Sequence, residues 1–211
     1  ILTLAAYGDD EYMKRLLAFL LDENLEVKGA AIAGLMQHYG IDGIFYSIDI
    51  FKQMMGSLRI DERKEVARII GRIGAQNFYK PLVKLLEDPS KEVQVVAIEA
   101  AQLLKVNDLI PHIIKKLKQK ETRHKAIEAL SSYDPKEIVP ELKTYLEYSP
   151  KYKDISIYVP RVFEMIASQE CADILIHNYE QAAPYLRTKI LDSLAKMRWR
   201  VRDLRISPEI T

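Results

Sequence analysis

Residues 81–104 read PLVKLLEDPSKEVQVVAIEAAQLL, two short amphipathic runs parted by a tight break. Leu82, Leu85 and Leu86 share one helical face of the first run, and Val93, Val96, Ala97, Ala100, Ala101 and Leu104 share a face of the second. Asp88, Pro89 and Ser90 interrupt the periodicity and supply turn and helix-start chemistry. Helices this short are marginal in water by themselves. A hairpin of this size therefore needs copies of itself to cover its apolar stripes.

Copies recur along the chain. With Ala97 as anchor, the equivalent second-helix positions are Ala31, Val66, Ala97, Ala126, Val159 and Ile190, at intervals of 35, 31, 29, 33 and 31 residues. Four residues after each anchor stand Leu35, Ile70, Ala101, Leu130, Phe163 and Leu194. Seven after stand His38, Ile73, Leu104, Tyr133, Ile166 and Met197. Three before stand Lys28, Arg63, Gln94, Arg123, Ser156 and Arg187. The first helices carry matching pieces, RLLAFLLD, DIFKQMM, KPLVKLLED, IPHIIKKL, VPELKTYL and DILIHNY, with Pro81, Pro111 and Pro140 near their expected starts. No period-two strand pattern appears.

The pattern predicts an all-α fold, a right-handed α-solenoid (an α-α superhelix) of six helical pairs. They are placed near 10–39, 44–74, 78–105, 108–133, 136–167 and 170–198, as one domain over residues 1–211. Residues 1–8, ILTLAAYG, read as the end of an earlier second helix stopped by Gly8. The tail WRVRDLRISPEIT reads as the start of a seventh unit. The first residue is Ile1, not Met, so the chain is expected to be a fragment of a longer protein. Pro160 falls inside the fifth second-helix pattern, and that helix is expected to begin near Tyr158 or bend there.

The second helices EVKGAAIAGL, ERKEVARIIGRIG and EVQVVAIEAAQLL resemble the HEAT-repeat pattern, closest to its short bacterial, PBS-lyase-like (armadillo-like) subtype. That resemblance covers nearly the whole chain and implies a protein-binding scaffold. A narrower stretch, Val159–Arg198, resembles the HEAT region attached to some bacterial ATP:ADP antiporter-like membrane proteins. Val159, Pro160, Arg161, Leu186 and Arg187 match that pattern, while Glu164 and Ala167 stand where it has glycines. This second resemblance implies a cytoplasmic domain, tethered to the inner membrane through another segment, that transports nothing itself.

Composition narrows the chemistry. Apolar residues make up 48% of the 211-residue chain and charged residues 29%, a balance that excludes disorder. A formal net charge of +1 gives no whole-chain attraction to nucleic acid or acidic lipid. No apolar run reaches the roughly 18 residues of a membrane span, so no membrane insertion by this segment is expected. The single cysteine, Cys171, cannot form an internal disulfide and reads as a packed thiol at the start of a first helix. His38, His112, His124 and His177 fall in separate repeats without metal-ligand spacing, and His38 sits in a core-facing position. There is no phosphate-cradling glycine loop and no nucleophile elbow. These readings predict no enzyme activity, no metal and no cofactor. An enzyme-like module acting on a bilin chromophore is suggested only by the name of the repeat subtype.

Two basic runs support an alternative. KKLKQKETRHK (115–125) holds six basic residues, and KMRWRVRDLR (196–205) holds five with the only tryptophan; together they would suit a nucleic-acid-binding solenoid. The solvated outer face of a first helix is the better explanation of Lys115, Lys116 and Lys118. Lys28, Arg63, Arg123 and Arg187 are expected to pair with acids of the inter-helix turns, such as Asp22 and Asp88, in a ladder between repeats.

The leading functional reading rests on the second-helix stripe opposite the core, two and six residues after each anchor. HEAT-type stacks usually turn this face to the concave side. It carries Ala33, Arg68, Glu99, Glu128, Arg161 and Asp192, then Gln37, Arg72, Leu103, Ser132, Met165 and Lys196. Charge of both signs with apolar residues favours a protein or peptide partner over a phosphate backbone, which needs an unbroken basic path. The expected partner-binding residues are Gln37, Arg68, Arg72, Glu99, Glu128, Arg161, Asp192 and Lys196. Among them Arg68, Arg72 and Arg161 are the expected anchors for partner carboxylates.

Overall fold

The anchor positions lie in the core. In the computed structural model, which describes residues 10–147, 151–201 and 203–206, all six anchors and all six residues four places after them are fully buried. Among the described residues the chain is all-α, with helices packed in consecutive pairs. They are α1 (Asp10–Phe19) with α2 (Leu25–His38), α3 (Gly40–Met55) with α4 (Ile60–Ile73), and α5 (Tyr79–Leu86) with α6 (Lys91–Leu104). Then follow α7 (Ile110–Lys116) with α8 (Lys120–Ser131), α9 (Pro135–Glu147) with α10 (Val159–Ile166), and α11 (Gln169–Tyr179) with α12 (Pro184–Arg200). A single helical turn, Lys153–Ser156, precedes α10.

The chain divides into two compact units, residues 1–106 and 107–211. In the first, α2 packs on α4 and α4 on α6; in the second, α8 packs on α10 and α10 on α12. Each unit thus buries its second helices in series, the mode of a helical repeat.

Local chemistry sets the boundaries. Asn24 caps α2 by accepting from the Glu26 and Val27 amides at 2.9 and 3.4 Å, and Ser168 caps α11 by accepting from the Cys171 amide at 3.2 Å. Pro160 lies in the first turn of α10, so its missing N–H costs no helical bond and the helix begins after Tyr158. Gly74, Lys105 and Ala167 occupy the same place, eight residues after their anchors. Each ends its helix in the left-handed conformation, with φ of 66°, 52° and 54°.

Several expectations are corrected. Pair two begins at Gly40, because the chain turns from α2 to α3 through Tyr39 alone. That sharp turn puts His38 at the end of α2, exposed rather than in the core. Pro140 lies inside α9, whose start is Pro135. Lys116 is buried, while Lys115 and Lys118 are exposed. Helix α12 runs to Arg200, so Trp199 and Arg200 extend the sixth pair. The expected helix end at 1–8, and residues 202 and 207–211 of the tail, lie outside the described residues.

The basic residues before the anchors share a different role from the ladder expected. Arg63 does bind Asp88 through two bonds of 2.7 and 3.0 Å, which holds its guanidinium above the ordinary arginine range. Yet Arg63 also donates to the Ser57 carbonyl at 2.8 Å, Gln94 to Asp88 O at 2.6 Å, Arg123 to Leu117 O at 2.9 Å and Arg187 to Ala182 O at 2.8 Å. In these four hairpins the recurring function is to satisfy carbonyls of the closing loop. Arg123 further stacks on Tyr158, 3.9 Å from the ring centroid. Its engagement removes one charge from the 115–125 run as a free basic surface.

Candidate functional site: two grooves between second helices

Second helices of neighbouring pairs leave a groove in each unit, and five of the eight expected residues line them. In the first unit, Arg68, Gly71 and Arg72 of α4 face Val96, Glu99, Ala100 and Leu103 of α6 across a groove of about 220 Å³. Gly71 permits the close approach: a Cβ there would sit 3.2 Å from Leu103 Cδ1 and 3.4 Å from Ala100. Leu103 is 70% exposed at the rim.

Arg68 and Arg72 do not present bare guanidinium groups. Both bind Glu65, a fully buried carboxylate one place before the anchor; Arg68 Nη1 donates to Oε2 at 3.0 Å and Arg72 Nη1 to Oε1 at 2.6 Å. Room for that carboxylate comes from α2, where a Cβ on Gly29 would lie 2.1 Å from Glu65 Oε1. The two arginines, expected as anchors for partner carboxylates, therefore spend part of their charge inside the fold while remaining partly exposed.

The second unit repeats the arrangement with different residues. Arg161 and Glu164 of α10 face Ala195, Lys196, Trp199 and Arg200 of α12 across about 460 Å³. Glu164 stands five places after its anchor, the place Gly71 holds in the first unit. It is only 4% exposed. Arg161 Nη1 donates to Oε1, Lys196 Nζ lies 4.0 Å from Oε2, and Arg200 Nη1 reaches the Glu164 carbonyl at 3.4 Å. Oε2 accepts no hydrogen bond among the described residues. Trp199 is 91% exposed beside it.

The remaining expected residues stay apart from these grooves. Glu128 is held on its own helix by His124 and Lys125, each at 3.3 Å. Gln37 and Asp192 are exposed but line neither groove, and Ala33 is buried. A wider hollow of about 530 Å³ lies between first helices α9 and α11, lined by Lys143, Glu170, Asp173 and His177 among others, and contains none of the expected residues. Cys171 is buried, and burial pushes its thiol up while bonds with Ser168 draw it partly back. Among the described residues no three His, Cys, Asp or Glu side chains gather into a metal-holding group, and no helix is long and apolar enough to cross a membrane.

Sequence reasoning missed Glu65 as the buried partner of Arg68 and Arg72, and Glu164, Gly71, Trp199 and Arg200 as groove residues. A signal existed for the first two. Glu65 interrupts the apolar phase next to an anchor, and Glu164 replaces a glycine of the resembled pattern, so both acids fall where a helix faces its neighbour.

No family model matches this chain, and no curated protein matches it. Among solved structures it is similar to the crystal structure of an engineered protein, a Northeast Structural Genomics Consortium target. The identity is 17% and the TM-score 0.43, over 89% of this chain and 96% of that one. With a TM-score below 0.5, the fold assignment rests on the helix pairing within each unit.

Proposed function

We propose that this chain is a HEAT-like scaffold that binds a protein or peptide segment along its second-helix grooves and carries out no catalysis itself. The observation that supports this most directly is the composition of the first-unit groove. Its two cations, Arg68 and Arg72, share the groove with one carboxylate, Glu99, and are already bound to a second, Glu65, buried beneath them, while an exposed Leu103 stands at the rim. A phosphate backbone gains from uniform positive charge and loses wherever a carboxylate interrupts it. A polypeptide offers both charge signs, backbone donors and apolar side chains, which is what this groove complements. The resemblance of Val159–Arg198 to HEAT regions attached to antiporter-like membrane proteins supports a place on the cytoplasmic side.

The test is site-directed photo-crosslinking. A benzophenone amino acid at Leu103 should give discrete protein adducts that survive nuclease treatment and disappear in a Glu99→Arg variant. The same label at exposed Lys84 on α5 should give none of them. Adducts that are nuclease-sensitive, or identical from both positions, would sink this reading.

A further inference from the structure

We infer that the groove between α10 and α12 is a docking site for an acidic peptide segment. Its carboxylates would be held by Arg161, Lys196 and Arg200, and one of its backbone N–H groups would be received by Glu164 Oε2. This rests on the peptide-binding reading for the class of ligand but on a different groove for its observations.

Two features carry it. The first is charge: among the described residues three cations, one of them already paired with Glu164, line the groove against that single carboxylate, so an anionic ligand is favoured. The second is the orphan acceptor. Glu164 is buried, one oxygen is bound by Arg161, and Oε2 accepts no hydrogen bond among the described residues. Lys196 Nζ stops 4.0 Å away, beyond hydrogen-bond reach. A buried acceptor left unmet is costly, and a ligand that donates to it recovers that cost on binding.

These features exclude simpler ligands. A lysine or arginine side chain would satisfy Oε2 but would meet Arg161, Lys196 and Arg200 at the same time. A phosphodiester strand would satisfy the cations, yet its phosphates bring no donor to Glu164 Oε2. An acidic peptide supplies a carboxylate and an amide N–H within one residue, and its apolar side chains can lie on Ala195 and the exposed face of Trp199. The groove volume of about 460 Å³ suits a short extended segment.

Trp199 is the sole tryptophan and provides the readout. The full chain is titrated with a short acetylated, amidated peptide alternating glutamate with leucine. The controls are the same peptide with glutamine for glutamate and a thymidine oligonucleotide. The glutamate peptide should shift Trp199 emission to shorter wavelength in a saturable way, and the glutamine peptide should not. Lys196→Ala with Arg200→Ala should weaken binding at least ~10-fold, the scale of losing charge-assisted bonds. Glu164→Gln should also weaken it, although that change makes the groove more positive. With the amide oxygen facing Arg161, the new NH₂ opposes the peptide N–H.

The absence of a saturable shift, tighter binding of the oligonucleotide, or a Glu164→Gln variant that binds as well as or better than the parent would overturn the inference. If crosslinking at Leu103 persists while the glutamate peptide fails here, this groove's assignment falls alone. If both fail, the peptide-binding reading falls with it.

Discussion

Replacing Arg68 and Arg72 together by alanine should destabilise the protein, although both side chains reach solvent and line a groove. The reason is Glu65. Its side chain is wholly buried and each of its oxygens is held by one of the two guanidinium groups, at 3.0 and 2.6 Å. Removing both partners leaves a buried carboxylate uncompensated, which costs about 3–5 kcal/mol. Arg72 should contribute more than Arg68, because its bond is shorter and its side chain is 29% exposed against 40%. For a chain of this size each kcal/mol moves the melting temperature by roughly 2–4 °C, so the double variant should melt about 6–20 °C lower. Adding Glu65→Met should recover most of the loss, because the stranded charge is then gone and Gly29 leaves space for the thioether. Thermal and urea unfolding of the parent, the double and the triple variant measure this. A double variant melting within about 1 °C of the parent, or a triple variant no more stable than the double, would show that Glu65 is not held as described.

Three further outcomes follow from the geometry. Ala167→Gly should stabilise by about 1 kcal/mol, because Ala167 ends α10 at φ 54° where a side chain is strained, while Gly74 fills the same place in α4; an unchanged urea midpoint would count against that strain. Gly43→Ala should cost about 1–3 kcal/mol or more, since the new Cβ would sit 1.9 Å from the Leu35 carbonyl oxygen of α2, a backbone atom that cannot step aside; a wild-type melting curve would mean that α2 and α3 do not approach this closely. Cys171 should resist alkylation in the native state at neutral pH and react fully in denaturant. Burial raises its folded pKa, so the native thiol keeps its proton. The stability it confers is complete below about pH 8.5, where an unfolded thiol is still protonated, and falls as pH rises further. Rapid stoichiometric labelling of the folded chain at pH 7 would refute its burial.

Much of the fold was legible in the sequence because burial in a helical repeat is periodic. The anchors and the residues four places on are apolar in every pair, and all are fully buried. The pattern weakened where the chain itself broke period. His38 looked core-facing only while α2 was imagined to continue past it. Ala33 looked solvent-facing by phase, but α2 is covered on that side as well. The expected ladder of acids and bases was found at Arg63 and Asp88, while Arg123 and Arg187 turned to loop carbonyls, which sequence spacing does not distinguish from carboxylates.

By itself the sequence determined the helical pairs, their register and the stripe on which charged groups gather, because a 3.6-residue period is a property of one chain segment. Tertiary structure alone decided what those charges do. Glu65 and Glu164 lie in the same helices as their arginines, yet only the packing of α4 and α10 against neighbouring helices removes those carboxylates from water. That packing also gathers α12's Lys196, Trp199 and Arg200 around Glu164. The strength of a charge depends on its dielectric surroundings and its distances to other charges, and both are set between helices rather than along one.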